Sequence, residues 1–413
     1  MTKSKNVVST IVYIYNSYND PLFQNLVLSY IKSLAKNDLY KFHIITFEQK
    51  YYRINNEERK VINDELNKMN IYWYPLIFHT GKFILIKKLY DFFISALVFS
   101  QIKLKENASV ILSYTNISAS FSIILSKIFS MKMIVYSYEP HSFFLVDMGL
   151  WSKRSLKYIL LSSIEKYAGI KADYILTGTK HMVKQLKIWG AKGKIIRAPT
   201  SVNENEFYFR ESGRLKTRKL LNIESRCVLL YIGKFGGLYY NKEIPRLFNI
   251  LRSVNSNLYF LIVTSNSLTE INTLFLDEGI SEDDYFLTSK LNYDSIKDYI
   301  SSSDIGLSAI PPTPSQKFRS PTKVGEYLMC GLPYITCKGV SEDDYFANKY
   351  NVGVVLNSFS SFDVNNSLSD FNKILNEDKS VLRARCRRIG IRYRSQSFVV
   401  NQLKKIYHDI SNI

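Results

Sequence analysis

The sequence predicts an α/β protein built from two doubly wound, Rossmann-like domains that face a central cleft. Short apolar runs alternate with longer amphipathic stretches along most of the 413 residues, and this alternation is typical of parallel β-α-β units. A polar stretch without sustained periodicity, residues 198–219, separates one such series from a second. We therefore expect one domain at residues 1–200, a linker at 201–219, a second domain at 220–394 and a final helical segment at 395–413.

The first series begins with an apolar run at residues 7–15, which is typical of a buried strand. The other strand candidates of this half are residues 42–47, 110–113, 133–138, 174–177 and 194–197. Helical patterns between them lie at residues 22–35, 83–104, 117–129, 152–168 and 180–188. Parallel strands joined in this way place their carboxyl ends on one edge of a sheet, where ligands bind in open α/β folds.

The second series repeats the pattern after the polar stretch. Its strand candidates are residues 227–232, 258–264, 285–287, 305–310, 333–337 and 352–356. Its helical patterns lie at residues 242–253, 293–302, 322–329, 362–375 and 396–410. The two series are of similar length, and each contains enough strands for a sheet of its own.

Composition places the chain among globular proteins. Apolar residues make up 46% and charged residues 22%, values that exclude a disordered or collagen-like chain. The four cysteines show no C-x-x-C spacing, which argues against a disulfide framework and a structural zinc site. The longest near-continuous apolar run, residues 92–99, falls far short of the roughly 20 residues that span a bilayer. Residues 1–6 are polar, so we expect no cleavable signal and a cytoplasmic location.

The positive charge is concentrated in the first half of the chain. The formal net charge is +19. Residues 1–200 hold 28 Lys and Arg against 13 Asp and Glu, whereas the remaining residues hold 27 against 23. Such a field attracts nucleic acid, an anionic membrane surface or an anionic substrate. The alternative is a lysine-rich surface that serves only solubility.

A glycine-rich turn follows the strand candidate at residues 227–232. Gly233, Gly236 and Gly237 have the spacing G-x-x-G-G, which matches neither the dinucleotide fingerprint nor a Walker loop. Glycine lets backbone amides approach a phosphate closely, and the N-terminus of the helix that follows adds partial positive charge. The turn indicates a phosphate contact, with an ordinary strand-to-helix connection as the alternative.

The most specific motif is the segment SQKFRSPTKVGEYLMCGLPYIT at residues 315–336. Ser320 and Pro321 suit the N-cap and first position of a helix at 322–329. Lys323 and Glu326 are three residues apart and therefore share a helix face. A lysine and unpaired amides at a helix N-terminus suit a diphosphate, and a carboxylate one turn on can accept from two adjacent sugar hydroxyls. The alternative is a helix with a surface Lys–Glu pair.

A further candidate follows the strand candidate at residues 133–138. Glu139 and His141 come directly after it, where the carboxyl end of a strand would face a ligand. A histidine can donate, accept or transfer a proton near neutral pH, although a structural role for it is the alternative. The other four histidines show no metal-ligand spacing, so we expect no metal site.

Two helical patterns, residues 83–105 and 152–168, combine basic residues with aromatic and aliphatic ones. This combination is typical of helices that lie on an anionic bilayer. The alternative is that they pack on the sheet with their lysines in water.

The segment at 315–336 resembles the nucleotide-sugar signature of the retaining glycosyltransferases of family 4, within the GT-B superfamily. It is most similar to a bacterial polysaccharide-assembly branch, in which S-P-T-K precedes G-E-Y-L-x-x-G-L-P. Residues 20–34 resemble the opening of the first domain in that branch, residues 231–243 its glycine loop, and residues 398–410 the last helix, which returns to the first domain.

The resemblance implies a role for each matching residue. It places the backbone amides of residues 320–322 and the side chain of Lys323 at the donor diphosphate, and Glu326 at the donor ribose. It places Gly236 and Gly237 near the same phosphates. We add Lys234 and Arg319, as cations, and Ser320 and Thr322 to the expected donor-binding set. The resemblance places His141 or Glu139 beside the transferred sugar or the acceptor, and we expect both to be catalytic residues.

The sequence departs from the family pattern at three positions. Many relatives have a glutamate eight residues before the ribose-binding one, where this chain has Phe318. Many also have an arginine after the first glycine and a lysine soon after it, where this chain has Lys234 and Tyr239. The contact to the donor sugar and part of the phosphate clamp therefore differ from those of the family.

We expect a glycosyltransferase that moves a sugar from a nucleotide diphosphate donor to a glycan or lipid-linked acceptor in surface polysaccharide assembly. The resemblance implies retention of configuration, no bound metal and no cofactor. The basic first half is then expected to attach peripherally to an anionic membrane surface, with no nucleic acid as partner.

Two alternatives remain open at this level. One is a nucleotide-sugar epimerase of the same architecture, which would need carboxylates around the sugar; Phe318 argues against it. The other is a nucleic-acid-binding protein, suggested by charge alone. The chain has no recognition motif for nucleic acid, and its lysines are scattered through helical patterns rather than clustered.

Overall fold

The structure is a computed structural model that describes residues 7–136, 139–289 and 291–411. The chain divides into two compact units. Unit 1 comprises Met1–Pro199 and Ser397–Ile413, and unit 2 comprises Thr200–Gln396. Each unit contains its own parallel sheet with helices around it. The predicted α/β class with two doubly wound sheets is confirmed.

The sheet of unit 1 is parallel throughout its described strands. These are β1 (Val8–Ile14), β2 (Tyr40–Glu48), β3 (Ile71–Ile77), β4 (Val110–Tyr114), β5 (Lys132–Tyr136), β6 (Tyr174–Thr177) and β7 (Lys194–Arg197). Their spatial order is β3-β2-β1-β4-β5-β6-β7. The order reverses beside β1, which pairs with β2 on one side and β4 on the other. Residues 137 and 138, the end of the predicted strand 133–138, lie outside the described residues.

The helices of unit 1 cover both faces of its sheet. A π-helical turn at Phe23–Leu28 leads into the first of them. They are α1 (Ser29–Ala35), α2 (Asn56–Asn67), α3 (Ile84–Glu106), α4 (Thr115–Ile128), α5 (His141–Asp147), α6 (Leu156–Lys171) and α7 (Lys180–Ile188). Successive residues of β1 alternate between two buried clusters, with Val12 and Ile14 in one and Ile11 and Tyr13 in the other. Burial on both faces explains why residues 11–14 of this strand are apolar without interruption.

Unit 2 has a second parallel sheet. Its described strands are β8 (Cys227–Ile232), β9 (Leu258–Val263), β10 (Tyr285–Thr288), β11 (Ile305–Leu307), β12 (Tyr334–Cys337) and β13 (Gly353–Leu356), in the order β10-β9-β8-β11-β12-β13. Its helices are α8 (Glu211–Leu220), α9 (Glu243–Val254), α10 (Leu268–Asp277), α11 (Tyr293–Ser302), α12 (Thr322–Met329), α13 (Asp343–Tyr350), α14 (Ser361–Asn366), α15 (Leu368–Asn376) and α16 (Lys379–Arg394). The strand order reverses beside β8, which pairs with β9 and β11.

The last helix, α17 (Gln396–Ser411), belongs almost entirely to unit 1. Val399, Leu403 and Tyr407 are buried in the same cluster as the core residues of β1 and β2. The ring of Tyr407 lies 5.1 Å from that of Tyr40, centroid to centroid. The expected return of this helix to the first half of the chain is confirmed.

Several elements differ from the sequence prediction. Strand β3 was not predicted, because Pro75 interrupts its apolar pattern; the strand tolerates a proline because it lies at the edge of the sheet. The segment expected as a linker contains helix α8, in which Arg214 and Arg218 are buried against Asp304. Their charge made the segment look solvent-exposed. The other unpredicted helices are α2, α5, α10, α13 and α16.

Within the described ranges, no helix combines the length and the apolar character needed to cross a bilayer.

Candidate functional site

In unit 2, the glycine turn and the segment before α12 meet at the point where the strand order reverses. The turn follows β8, and residues 308–321 follow its neighbour β11. The backbone N–H of Tyr240 donates to the carbonyl of Ala309 at 3.0 Å, which joins the two segments directly. The carboxyl edge of the sheet at such a reversal is the usual ligand site of an open α/β fold.

Helix α12 is attached to this edge by the side chain of Tyr327. The buried Tyr327 hydroxyl donates to the carbonyl of Leu307 at 3.3 Å and accepts from the N–H of Ile232 at 3.4 Å. It therefore bridges the ends of β8 and β11. Burial raises the pKa of this phenol well above its usual range, so it stays protonated and can donate.

The glycine turn contains two positions whose backbone conformation favours glycine. Gly236 and Gly237 have φ values of 75° and 64°, in the left-handed region that side chains disfavour. The N–H of Gly236 donates to the carbonyl of Tyr240 at 3.1 Å, so this amide closes the turn. Gly237 and the side chain of Lys234 are exposed.

A side chain that sequence reasoning did not identify holds the turn in place. The amide of Asn266 makes two hydrogen bonds to the backbone of Phe235: its Oδ1 accepts from the N–H at 3.0 Å and its Nδ2 donates to the carbonyl at 3.1 Å. Asn266 lies just after β9, the other neighbour of β8. The turn is therefore fixed from both sides.

Helix α12 places Lys323 and Glu326 together, as the spacing predicts. The ammonium Nζ of Lys323 donates to Glu326 Oε2 at 3.1 Å. Their side chains are 34% and 16% exposed, so the pair lies at the surface of the unit and its charged ends reach solvent. Thr322, the first residue of the helix, is half-buried. The first-turn N–H groups of a helix have no intrahelical partner and carry partial positive charge.

Ser320 does not have the capping role that the sequence suggested. The helix begins at Thr322, and Pro321 occupies the N-cap position. The Ser320 hydroxyl instead lies 3.1 Å from the Thr200 hydroxyl, and it accepts from Arg394 Nη1 at 2.5 Å. A long-range arginine therefore takes the serine oxygen that a local cap would use.

Arg394 organises the whole segment before α12. Its side chain is only 2% exposed and pairs with the buried carboxylate of Asp343. Its Nη1 also reaches the carbonyls of Thr200 and Pro321, each at 3.3 Å. Burial raises the pKa of Asp343, and the neighbouring guanidinium opposes that rise. No local motif distinguishes Arg394 from the other basic residues of α16, so the sequence did not reveal it.

The two residues before Ser320 differ in exposure. Phe318, which stands where relatives have a sugar-facing glutamate, is buried at the end of a short 3-10 helix, Gln316–Phe318. Arg319 follows in an extended conformation and is half-buried. The ammonium of Lys317 lies 5.1 Å from the centre of the Phe318 ring.

In unit 1, Glu139 and His141 lie beyond the carboxyl end of β5. His141 is the first residue of α5, which Pro140 precedes, and both Glu139 and His141 are half-buried. The His141 ring lies 5.6 Å from that of Phe144. The backbone N–H groups of His141 and Ser142 donate to the carboxylate of Glu165, His141 at 3.1 Å. Glu165 is a further residue that sequence reasoning missed.

The structure thus groups the predicted donor residues in unit 2 and the predicted catalytic pair in unit 1. Among the described residues, no group of three or more His, Cys, Asp or Glu side chains is arranged to hold a metal ion. The chemistry available in unit 2 is that of an anion site beside a carboxylate that can accept hydroxyl donors.

The sequence matches no protein-family model and no curated protein. The fold, however, is similar to that of solved structures over nearly the full length of both chains. Sucrose-phosphate synthase from Thermosynechococcus elongatus has a TM-score of 0.73 at 14% identity, covering 98% of this chain and 99% of that one. A glycosyltransferase from Rickettsia africae has a TM-score of 0.68 at 15% identity, covering 98% of each chain.

HepE from Anabaena, solved in complex with UDP, has a TM-score of 0.70 at 11% identity and covers 98% of this chain and 100% of that one. At these identities the similarity establishes the fold alone. That fold is the GT-B architecture of two Rossmann-like units, which defines the structural class of this chain.

Proposed function

We propose that this chain is a GT-B glycosyltransferase that moves a sugar from a nucleoside diphosphate donor to an acceptor hydroxyl. In its finer detail we propose a family 4-like, retaining enzyme of surface polysaccharide assembly, as the sequence resemblance implies. The observation that carries the proposal is the meeting of the glycine turn with the Lys323–Glu326 helix where the strand order of unit 2 reverses. The complex of HepE with UDP supports a nucleoside diphosphate as the donor's leaving group.

The proposed donor site uses charge and hydrogen bonding. Lys323 and the N–H groups of the first turn of α12 hold the diphosphate, and Glu326 accepts from two ribose hydroxyls. The existing Lys323–Glu326 contact is a partly exposed pair, which is worth about 0–1 kcal/mol. Its two members can therefore turn to separate parts of a ligand at little cost. Lys234 and Arg319 add positive charge, with Ser320, Thr322, Gly236 and Gly237 shaping the backbone around them.

The same groups explain how the chain would assist the reaction. When the bond between the sugar and the diphosphate breaks, negative charge grows on the departing phosphate. Preorganised cations and helix-terminal amides stabilise that charge without reorganising, which is electrostatic catalysis. The acceptor oxygen then bonds to the sugar carbon, and its proton passes to the oxygen of the departing diphosphate. This scheme assigns no step to a metal ion or a cofactor.

Unit 1 is the proposed acceptor unit. His141 and Glu139 lie after β5 at the carboxyl edge of its sheet, one strand away from the β1–β4 pair at which the strand order reverses. Ligands of open α/β sheets bind along this edge. We assign them to the reacting sugar or the acceptor, which we propose to be a glycan or a lipid-linked glycan. His141→Ala is then expected to lower turnover while the affinity for nucleotide, bound in unit 2, changes little.

We further propose that unit 1 attaches peripherally to an anionic membrane through one layer of helices. Helix α3 packs on α4 through the rings of Phe92 and Phe121, 5.9 Å apart, and α4 packs on α6. The outer side of this layer carries exposed apolar side chains: Ile86, Leu89, Tyr90, Phe93 and Leu97 on α3, and Leu156, Ile159, Leu160, Ile164 and Tyr167 on α6. Leu89 and Leu156 are 69% and 66% exposed.

Basic residues accompany this apolar surface and favour an anionic bilayer as its partner. Lys82, Lys153 and Arg154 are exposed near the starts of α3 and α6. Each basic residue close to an anionic leaflet contributes about 1 kcal/mol, and apolar burial adds to it. Lys88 is a poor choice for testing this attraction, since its ammonium lies 3.7 Å from the centre of the Phe78 ring and contacts the buried Asp91.

Co-sedimentation of the full chain with vesicles tests the membrane proposal. Vesicles with and without anionic lipid are compared across a salt series. Reversal of charge at Lys82, Lys153 and Arg154 should abolish binding, and reversal at Lys216, Lys219 and Lys373, exposed residues of unit 2, should not. Equal binding by both triple variants, or no binding of the wild type at low salt, rejects the membrane assignment.

A thermal-shift screen with UDP, GDP, CDP and dTDP, followed by their sugars, tests the enzymatic proposal. One nucleotide diphosphate should raise the melting temperature, and its sugar should be consumed only when an acceptor is added. Conversion of the nucleotide sugar into another free nucleotide sugar without acceptor would instead identify an epimerase. Salt-sensitive binding of random DNA, with no change of melting temperature on addition of any nucleotide, would contradict both the glycosyltransferase and the epimerase.

A further inference from the structure

The buried carboxylate of Glu165 connects two of the loops at the carboxyl edge of the sheet of unit 1, those after β4 and β5. Glu165 is 1% exposed and projects from α6. Its Oε1 accepts from the N–H of His141 at 3.1 Å and from that of Ser142 at 3.2 Å. Its Oε2 accepts from the Ser142 hydroxyl. One side chain therefore satisfies the first two amides of the helix that begins at His141.

The same carboxylate reaches a second loop. The side-chain Nδ2 of Asn116 donates to Glu165 Oε1, and Asn116 is the second residue of α4, directly after β4. Because β4 and β5 are adjacent strands, the loops that follow them are neighbours. Glu165 is thus a link between the start of α4 and the start of α5.

The loop after β4 is strained at the residue beside this link. Thr115 has a φ of 70°, a conformation that a β-branched residue rarely adopts. Such strain, of order 1–3 kcal/mol, persists only where surrounding contacts hold the backbone in place. The Asn116–Glu165 hydrogen bond acts next to it, and the hydroxyl of Ser118 accepts from the N–H of Tyr15 at 2.9 Å. The loop therefore has a defined conformation that depends on its partners.

We propose that Glu165 is a positioning residue, which sets the location of His141 by tying the start of α5 to the start of α4. The inference rests on the proposed function, because it assigns Glu165 an effect on the reaction that His141 serves. The hydrogen-bonding groups described above are all donors, and they come from the backbone and side chains of two loops.

The test compares Glu165→Ala and Glu165→Gln with Asp284→Asn. The glutamine keeps the size of the side chain and one acceptor oxygen. Asp284 is also a buried carboxylate, but it pairs with Arg226 and Arg252 in unit 2 and lies outside both candidate groups. It therefore controls for loss of a buried carboxylate as such. Glu165→Gln is the variant that keeps the test usable if Glu165→Ala does not fold.

Glycosyl transfer is measured together with nucleotide affinity. Misplacement of a reacting group by about 1 Å can lower turnover about 100-fold, so kcat should fall by that order in Glu165→Ala and by less in Glu165→Gln. The dissociation constant for nucleoside diphosphate should stay within about twofold of wild type, since that site lies in unit 2. Asp284→Asn should leave kcat unchanged.

A second readout does not depend on activity. The chain has five histidines, so a histidine-labelled sample gives few ring signals in a nuclear magnetic resonance spectrum, and His141→Gln identifies one of them. That signal should shift in Glu165→Gln and not in Asp284→Asn. An unmoved His141 signal with wild-type kcat overturns the inference even if transfer is confirmed. A wild-type enzyme that transfers no sugar while the signal still shifts contradicts the proposed function instead.

Discussion

The ring of Tyr327 lies directly against the α-carbon of Gly306. A Cβ on Gly306 would come within 2.6 Å of ring atom Cδ2 of Tyr327, a distance that no real Cβ contact tolerates. Gly306 is the middle residue of β11, and Tyr327 is the residue that bridges β8 and β11 through its hydroxyl. Helix α12 can therefore approach the sheet this closely only because residue 306 has no side chain.

Gly306→Ala is expected to destabilise the chain by about 1–3 kcal/mol, since overpacking a tight contact forces its neighbours to shift. Urea unfolding measures the loss. The double variant Gly306→Ala with Tyr327→Leu should lose less than the sum of the two single variants, because the smaller side chain removes the clash. Strict additivity of the two losses would mean that the contact does not constrain the helix.

Glu326→Gln is expected to weaken nucleoside diphosphate binding about tenfold or more. Hydrogen bonds to a charged acceptor contribute about 1.5–3 kcal/mol each, and the amide keeps the shape but loses the charge. Isothermal titration calorimetry measures the affinity. Glu270→Gln, an exposed glutamate in the first turn of α10, is the matched control. A folded Glu326→Gln that binds as tightly as the control removes Glu326 from the donor site.

Lys323→Ala is expected to weaken binding of a nucleoside diphosphate much more than that of the bare nucleoside. The ammonium acts on phosphate through its charge, so the difference between the ligands should shrink as salt is added. Affinities for both ligands at low and high salt provide the measurement. If the substitution weakens both ligands equally, Lys323 supports only the helix.

Asp343→Ala and Arg394→Ala are each expected to lower the free energy of unfolding by about 3–5 kcal/mol, because each leaves the other charge buried without its partner. The double variant Asp343→Leu with Arg394→Met should lower the free energy of unfolding less than either single variant does, since it buries no charge. Folded Arg394→Ala at low temperature should also bind nucleotide more weakly, because Ser320 and Pro321 lose their anchor. Wild-type stability in both single variants contradicts the arrangement.

The stability of the chain is expected to depend on pH through Glu165. Burial raises the pKa of its carboxyl to about 7 in the folded state, opposed by the hydrogen bonds of Ser142, His141 and Asn116. On the same helix, burial and then the nearby Glu165 carboxylate raise the pKa of the Tyr158 phenol. Since the folded pKa exceeds the unfolded one, the folded state holds the proton more tightly, and stability falls as the pH rises between the two values.

At about 1.4 kcal/mol per pKa unit, the free energy of unfolding should fall by about 3 kcal/mol between pH 4.5 and pH 7 through this group alone. The measurement is the difference in unfolding free energy between wild type and Glu165→Gln across that range. The pH-dependent contributions of the other carboxyl groups are the same in both chains and cancel in this difference. A difference that stays constant with pH would show that Glu165 ionises in the folded state as it does in the unfolded one.

The sequence by itself determined the fold class and most of the candidate motif at the start of α12. Buried parallel strands appear as apolar runs and the helices between them as amphipathic ones, so the alternation is visible without any tertiary information. The start of α12 and the shared face of Lys323 and Glu326 follow from proline and an i, i+3 spacing, which are local properties. Strand β3 was not predicted because a proline interrupts its apolar pattern. Helix α8 was not predicted because two of its buried residues are arginines, which hide the apolar periodicity of a helix.

Only the tertiary structure decided which residues hold these local motifs in place. Arg394 lies 74 residues from Ser320, and Glu165 lies 49 residues from Asn116. No local pattern distinguishes either of them from other charged residues of their helices. The capping role suggested for Ser320 failed for the same reason, because a buried guanidinium binds its hydroxyl more favourably than a helix amide would. Local periodicity specifies the elements, whereas the partners of buried charges depend on which distant segments the fold brings together.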